Sequence, residues 1–348
     1  MRRVLWMLTG LFVLLLAACN KQNIEPAPTA TVKPTETMAP AIATPTEEPT
    51  PTPEPGPVSY TTGLPFEGEY RPVIVSIENS PAARPQRGLQ TADVVYEVPV
   101  EGSITRFICV FADNVPEEVM PVRSARVPFL YIQHEWDAIF MHFGGAGSGS
   151  GERHAPYSFY GHALYDDLKF DIDGLSGKWN DYYYRVSTAD APHNVMGNPL
   201  LAQQLYDYNP EPLHWKFDSG ASYTGESVSE FALEMCSNDS DYISYRYDAQ
   251  NDVYLRSMNG KPFLSAETEE QVSVKNIIVQ YSTYKTSDDR KLWEMTGGGN
   301  ADFYIGGQLI HGTWERKTED DETVYYDGQG QQIVLRPGNT WIHISPQE

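Results

Sequence analysis

From residue 71 onward, apolar positions come in short, strand-length runs. "RPVIVSIEN" (71–79), "DVVYEVPV" (93–100) and "ITRFICVF" (104–111) are rich in β-branched and aromatic residues and predict three strands. Glu101-Gly102-Ser103 interrupts the last two, which predicts a hairpin. "VPFLYIQHEW" (127–136) reads as a helix and "AIFMHF" (138–143) as a buried strand. Helical spacing returns at "YSFYGHALYDDL" (157–168) and "NPLLAQQLYDYN" (198–209), the second with Pro199 near its start. Beyond "YNPEPLHWKFDSG" (208–220) the texture changes. Aromatic and β-branched runs alternate with the turn signals Asn259-Gly260, Asp327-Gly328 and Pro337-Gly338. The pattern predicts an α+β protein. A mixed α/β domain over 63–208 is followed by a mostly antiparallel β domain over 209–348, a small barrel or sandwich. An α/β arrangement of the first domain stays open.

Neither pattern holds at the start. "MRRVLWMLTGLFVLLLAACN" has a positive beginning at Arg2 and Arg3, then an apolar run too short to span a bilayer comfortably, then small residues. Residues 1–18 therefore read as a signal peptide. Leu16-Ala17-Ala18-Cys19 matches the bacterial lipobox, so Cys19 is expected to carry the lipid that anchors the chain at the extracytoplasmic face of the cell membrane. Residues 19–62 are dominated by Pro, Thr, Ala and Glu, have no apolar period and are expected to form a disordered stalk. At about 3.1 Å per residue, such a segment reaches roughly 100 Å from the bilayer.

Charge narrows the partners. The chain carries a formal net charge of −22. Setting aside Arg2, Arg3 and a stalk with two lysines against five glutamates leaves about −21 on the folded part. Such a surface repels nucleic acid and anionic headgroups, while a local pocket can still hold one anion. After Cys19, only Cys109 and Cys236 remain of three cysteines. Cys109 sits in a core-like strand and Cys236 in the other predicted domain, so both are expected to be unpaired thiols.

"RPVIVSIENSPAARPQRGLQTADVVYEVPVEGSITRF", followed by "MPVRSAR" and "APHN", resembles the YerB-like bacterial lipoproteins. So do "KNIIVQ", "GGGNADFYIGGQLIHGTWER" and "LRPGNTWIHI" in the second half. The resemblance covers nearly everything after the stalk. It implies an envelope location and a build of N- and C-terminal parts, with no established reaction. Arg87 stands where that family usually has Ser, and Ser103 where it usually has Gly.

Familiar site motifs fail on their spacing. Gly151 is followed by Glu152 where a phosphate-binding loop needs Lys, and no G-x-G-x-x-G register fits Gly144–Gly151. "KFDIDG" has Lys169 where a calcium loop needs an acid. His142, His154, His162 and His193 lack zinc-signature spacing. No metal or cofactor is expected. What remains is "PVRSAR", which places Arg123 and Arg126 around Ser124 in an acidic chain. Arg is the natural bidentate partner of carboxylate or phosphate. In one reading Arg106, Arg123 and Arg126 pair with Glu97 and Glu101 and lock the hairpin. In a second they line a cleft with His193 and Asn194 and orient a wall-related ligand or a protein partner. A third uses Ser124 as nucleophile, or Glu97 and Glu101 as an acid pair, in a hydrolase or transferase on envelope glycan or peptide. Period two sets Glu97 and Glu101 on one strand face with Cα atoms about 13 Å apart, wide for a glycosidase pair.

Overall fold

The computed structural model describes residues 56–146, 158–205, 208–236, 242–287 and 289–347. The expected signal peptide, Cys19, the stalk up to residue 55 and most of the Gly-rich loop lie outside them. In the first half, β1 (Val73–Glu78), β2 (Val94–Pro99), β3 (Thr105–Phe111), α1 (Val127–Trp136) and β4 (Ile139–His142) fall where the apolar runs predict them. The two later helices are shorter than expected. The first is a 3-10 turn at Phe159–Gly161 followed by α2 (Ala163–Asp166), with the Tyr160 and Tyr165 hydroxyls tied to Asp173 and Asp171. The second is α3 (Pro199–Gln203), capped by Asn198. Between and after them lie three short strands, β5 (Asp171–Asp173), β6 (Tyr183–Arg185) and β7 (Val195–Gly197).

The second half supplies β8 (Ile243–Asp248), β9 (Val253–Met258), β10 (Asn276–Ser282), β11 (Gly297–Ile305), β12 (Gln308–Arg316), β13 (Val324–Asp327) and β14 (Thr340–Pro346). Its strands do not close on themselves. One eleven-stranded sheet runs β13-β12-β11-β10-β14-β2-β3-β1-β4-β5, with the short strand Glu226–Ser227 added beside β12. β14 lies parallel to β2 on one side and parallel to β10 on the other. The texture change near residue 210 thus separates two stretches of chain, while a single sheet passes through both. The protein is also more strongly β than expected, with 41% strand against 11% helix.

Each face of this sheet is covered. Val94, Tyr96 and Val98 of β2 pack with Phe129 and Trp136 of α1. Val95 faces the other way, with Phe107 and Trp341, toward Tyr245 of β8 and Tyr254 of β9 in a five-stranded second sheet. Every residue of β2 is buried. The stalk ends sooner than expected, because Ser59, Thr61 and Thr62 are buried. Their hydroxyls donate to the Asp113 carboxylate at 2.7, 3.1 and 2.6 Å, which ties the chain to the folded body before residue 63.

Candidate functional site

Pro121–Arg126 lies as a strap between β1 and the end of β4. Glu78 N–H donates to Pro121 O and Arg123 N–H to Ser76 O, at 3.0 and 2.8 Å. On its other edge, Phe143 N–H donates to Arg123 O and Ala125 N–H to Gly144 O, at 3.0 and 2.8 Å. These ladder bonds fix the directions in which the side chains leave. Arg123 Nε meets Glu78 at 3.0 Å. Arg126 holds Glu101 with two N–H groups, Nε at 2.8 Å and Nη2 on the other oxygen. Arg106, opposite Glu78 in the β1–β3 register, donates from Nη1 to Ser124 O at 2.6 Å and reaches Glu101 at 4.0 Å. The strap therefore packs on the β2–β3 hairpin through an Arg–Glu contact.

Glu78 is the pivot that the sequence reading missed. It is 3% exposed and is shared by Arg123, His193 Nδ1 at 2.8 Å and the Ser80 hydroxyl at 2.8 Å. Its signal was its place at the end of a predicted strand, on the same face as Ile74 and Ser76. The "APHN" histidine thus joins the cluster. Asn194 stands beside it, accepting from Arg185 at 2.7 Å and donating to Val186 O, which holds β6 to β7.

Arg106, Arg123 and Arg126 face Glu78 and Glu101, three guanidinium groups against two carboxylates. Arg106 is only 4% exposed, and its Nε has no hydrogen-bond partner among the described residues. Burial, together with the neighbouring Arg126 and Arg123, pulls its pKa down to about 9 against the support of Glu101 and Glu78. Burial alone would raise Glu101, but Arg126 outweighs it and holds that carboxyl at about 2. An anion placed here would meet donors that lack a full set of partners.

Glu97 belongs to a different network. It leaves the β2 face opposite Val98 and is fully buried against the second sheet, where a solvated or cleft-lining carboxylate was expected. Arg256 of β9 contacts it at 3.1 Å, His343 of β14 at 3.2 Å and the Thr105 hydroxyl at 2.6 Å. Arg256 is itself enclosed, 4.7 Å from the Phe263 ring and 4.9 Å from the Trp341 ring. Burial opposes ionisation of Glu97, yet Arg256 and His343 hold its pKa at about 2. Glu101, in the turn after β2, has left the strand, so the two acids do not form a pair. Arg256 was legible as an arginine on the buried side of an alternating strand, between Tyr254 and Met258. A second buried pair, Glu135–Arg316 at 3.4 Å, joins α1 to β12 on the other face.

Ser124 Oγ donates to Phe143 O at 3.1 Å. The neighbouring His142 spends Nδ1 on Gly144 O and Nε2 on Asp171, at 2.8 and 2.6 Å. A cavity of about 500 Å³ elsewhere is lined by residues such as His134, Asp137, Asp167 and Asp320, and none of the eight candidate ligand-binding residues borders it. Beside the strap is a smaller hollow of about 250 Å³, lined by Phe143, Gly174, Asn180, Tyr183, Tyr184, Arg185 and Val195. Among the described residues, no group of three or more His, Cys, Asp or Glu side chains is arranged to hold a metal ion.

This combination of one shared sheet and two chain halves has counterparts. Residues 61–211 match the N-terminal domain, and residues 232–342 the C-terminal domain, of a family described as proteins of unknown function (DUF3048). The chain is 30% identical over 286 residues to the Bacillus subtilis (strain 168) protein named "Putative lipoprotein YerB", covering 80% of this chain and 82% of that one. A crystal structure of YerB from Bacillus subtilis superposes with a TM-score of 0.70 at 29% identity, covering 83% of this chain and 97% of that chain. The chain belongs to this YerB-like lipoprotein family.

Proposed function

We propose that the protein is a lipid-anchored lipoprotein of the cell envelope that binds an anionic wall-related ligand or partner at the arginine strap. One observation carries the reading. In a chain of net charge −22, three arginines meet against two carboxylates, and the buried Arg106 keeps an N–H without a partner among the described residues. Arg123, whose side chain is 28% exposed, is the strap arginine that an oxyanion from solvent can reach, and a charge-assisted bond to it is of the strong kind. The lipobox at Cys19 supports the location. The enzymatic alternative is weaker, because Glu97 is enclosed in the core and the Ser124 hydroxyl is committed to a backbone carbonyl.

Thermal unfolding with added sodium acetate or phosphate, at constant ionic strength, tests the reading. Either anion should raise the Tm of the wild type and leave Arg123→Gln unmoved. Equal shifts in both proteins would remove the site.

A further inference from the structure

His142, the last residue of β4, is fully buried between the Phe140 and Phe159 rings, whose centroids lie 4.8 and 5.2 Å from its own. Its two polar contacts therefore set its charge. Nδ1 lies 2.8 Å from Gly144 O, and Nε2 lies 2.6 Å from Asp171 Oδ1. A backbone carbonyl only accepts. Asp171 also accepts from the Tyr165 hydroxyl through its other oxygen, at 3.3 Å, as an ionised carboxylate does. A neutral imidazole carries one N–H, so it satisfies one of these acceptors and turns a lone pair on the other. Both contacts are hydrogen bonds only when both ring nitrogens are protonated. Asp173 adds a second negative charge, its Oδ1 3.9 Å from Nδ1.

These contacts join three stretches of chain. Asp171 and Asp173 begin and end β5, the three-residue strand at the edge of the large sheet, which runs parallel to β4. Gly144 O also accepts from Ala125 N–H of the strap at 2.8 Å. Asp173 accepts from Gly144 N–H at 2.8 Å and from the Tyr160 hydroxyl at 2.9 Å. Among the described residues, the titratable groups around the ring are Asp171 and Asp173 of β5, Tyr160 of the 3-10 turn, Tyr165 of α2 and Tyr183 of β6, whose hydroxyl donates to Ile172 O at 2.6 Å. Burial, then the β5 acids, pushes the Tyr160 and Tyr183 hydroxyls up, away from neutral pH. The strap contributes Ser124 and Ala125, which do not ionise there. We propose that His142 is a buried imidazolium bolt, which holds β5 and the strap to the end of β4 while protonated and releases that edge as the pH rises. Losing the proton removes the cation between two carboxylates and breaks one of the two ring hydrogen bonds.

The direction of the effect is fixed. Burial alone would lower the pKa of His142, but Asp171 and Asp173 outweigh it and hold it above the ordinary histidine value of 6.5. The bolt is therefore fully engaged below pH 6.5 and lost as the pH rises through the folded-state pKa. Long-range ¹H–¹⁵N NMR of the wild type reads the charge. At pH 6.5, where an ordinary histidine is half titrated, both ring nitrogens of His142 should be protonated, and a neutral ring there would overturn the proposal. Amide exchange reads the release. Protection of the Gly144 and Ala125 N–H groups should fall by up to tenfold per pH unit between 6.5 and the pKa of His142, while Val279, paired on both sides within β10, stays the more protected. Protection that is flat through the titration, or equal at all three sites, would remove the local bolt. Asp171→Asn should bring the His142 titration down toward 6.5 and shrink the pH dependence of exchange, and an unchanged profile in that variant would also contradict it. The wild-type titration needs no variant to fold.

Discussion

Glu97→Ala should destabilise the fold by about 3–5 kcal/mol, the range for removing one partner of a buried ion pair. Glu97 and Arg256 both have fully buried side chains, so no solvent screens the charge left behind. The aromatic cage only softens the loss, since cation–π contacts are worth roughly 2 kcal/mol when desolvated. For a body of this size, that destabilisation is roughly a 10 °C fall in Tm. Replacing both partners, as Glu97→Leu with Arg256→Met, should recover most of it, because two apolar groups leave no stranded charge. The pH dependence has a defined sign. The folded-state pKa of Glu97 lies at about 2, below the ordinary glutamate value of 4.5, so the contribution is complete above pH 4.5 and fades as pH falls toward 2. Urea unfolding followed by tryptophan fluorescence reads both effects. A change below 1 kcal/mol in Glu97→Ala, with acetate binding lost, would reverse the division between a structural and a ligand-binding network.

Ser103 holds φ +54° in the β2–β3 turn, a conformation costly for a residue with Cβ, so Ser103→Gly should add up to about 1 kcal/mol in the same unfolding assay. Cys19→Ala should move the protein from the membrane pellet to the soluble fraction, and unchanged sedimentation would refute the anchor. Cys109, buried and with its pKa pushed up by burial, should react with a thiol reagent only on unfolding.

Local elements were legible because they depend on local pattern. β1 to β4 and α1 follow from apolar runs, and the hairpin from Glu101-Gly102-Ser103. What escaped was pairing at long sequence separation. Thr340–Pro346 inserts between β2 and β10, and nothing in its alternation says that its neighbour lies some 240 residues earlier. The same gap misplaced Glu97. An acid in a strand reads as a solvent-facing residue until the second sheet that covers it is known. The arginine strap was found because two arginines in so acidic a chain need anions. Glu78, the partner of Arg123, was overlooked because the hairpin offered closer candidates in sequence. The first of the two short helices was overread from its helical spacing, since Tyr160 and Tyr165 within it bond to β5 carboxylates.

The central claim is that an anion binds at the strap, and the guanidinium resonances of the protein test it most directly. In ¹⁵N spectra of arginine Nε–H groups, acetate should shift Arg106 and Arg123 saturably and leave Arg256 and Arg316 in place. Saturable shifts at neither strap arginine, or equal shifts at all four, would contradict the account.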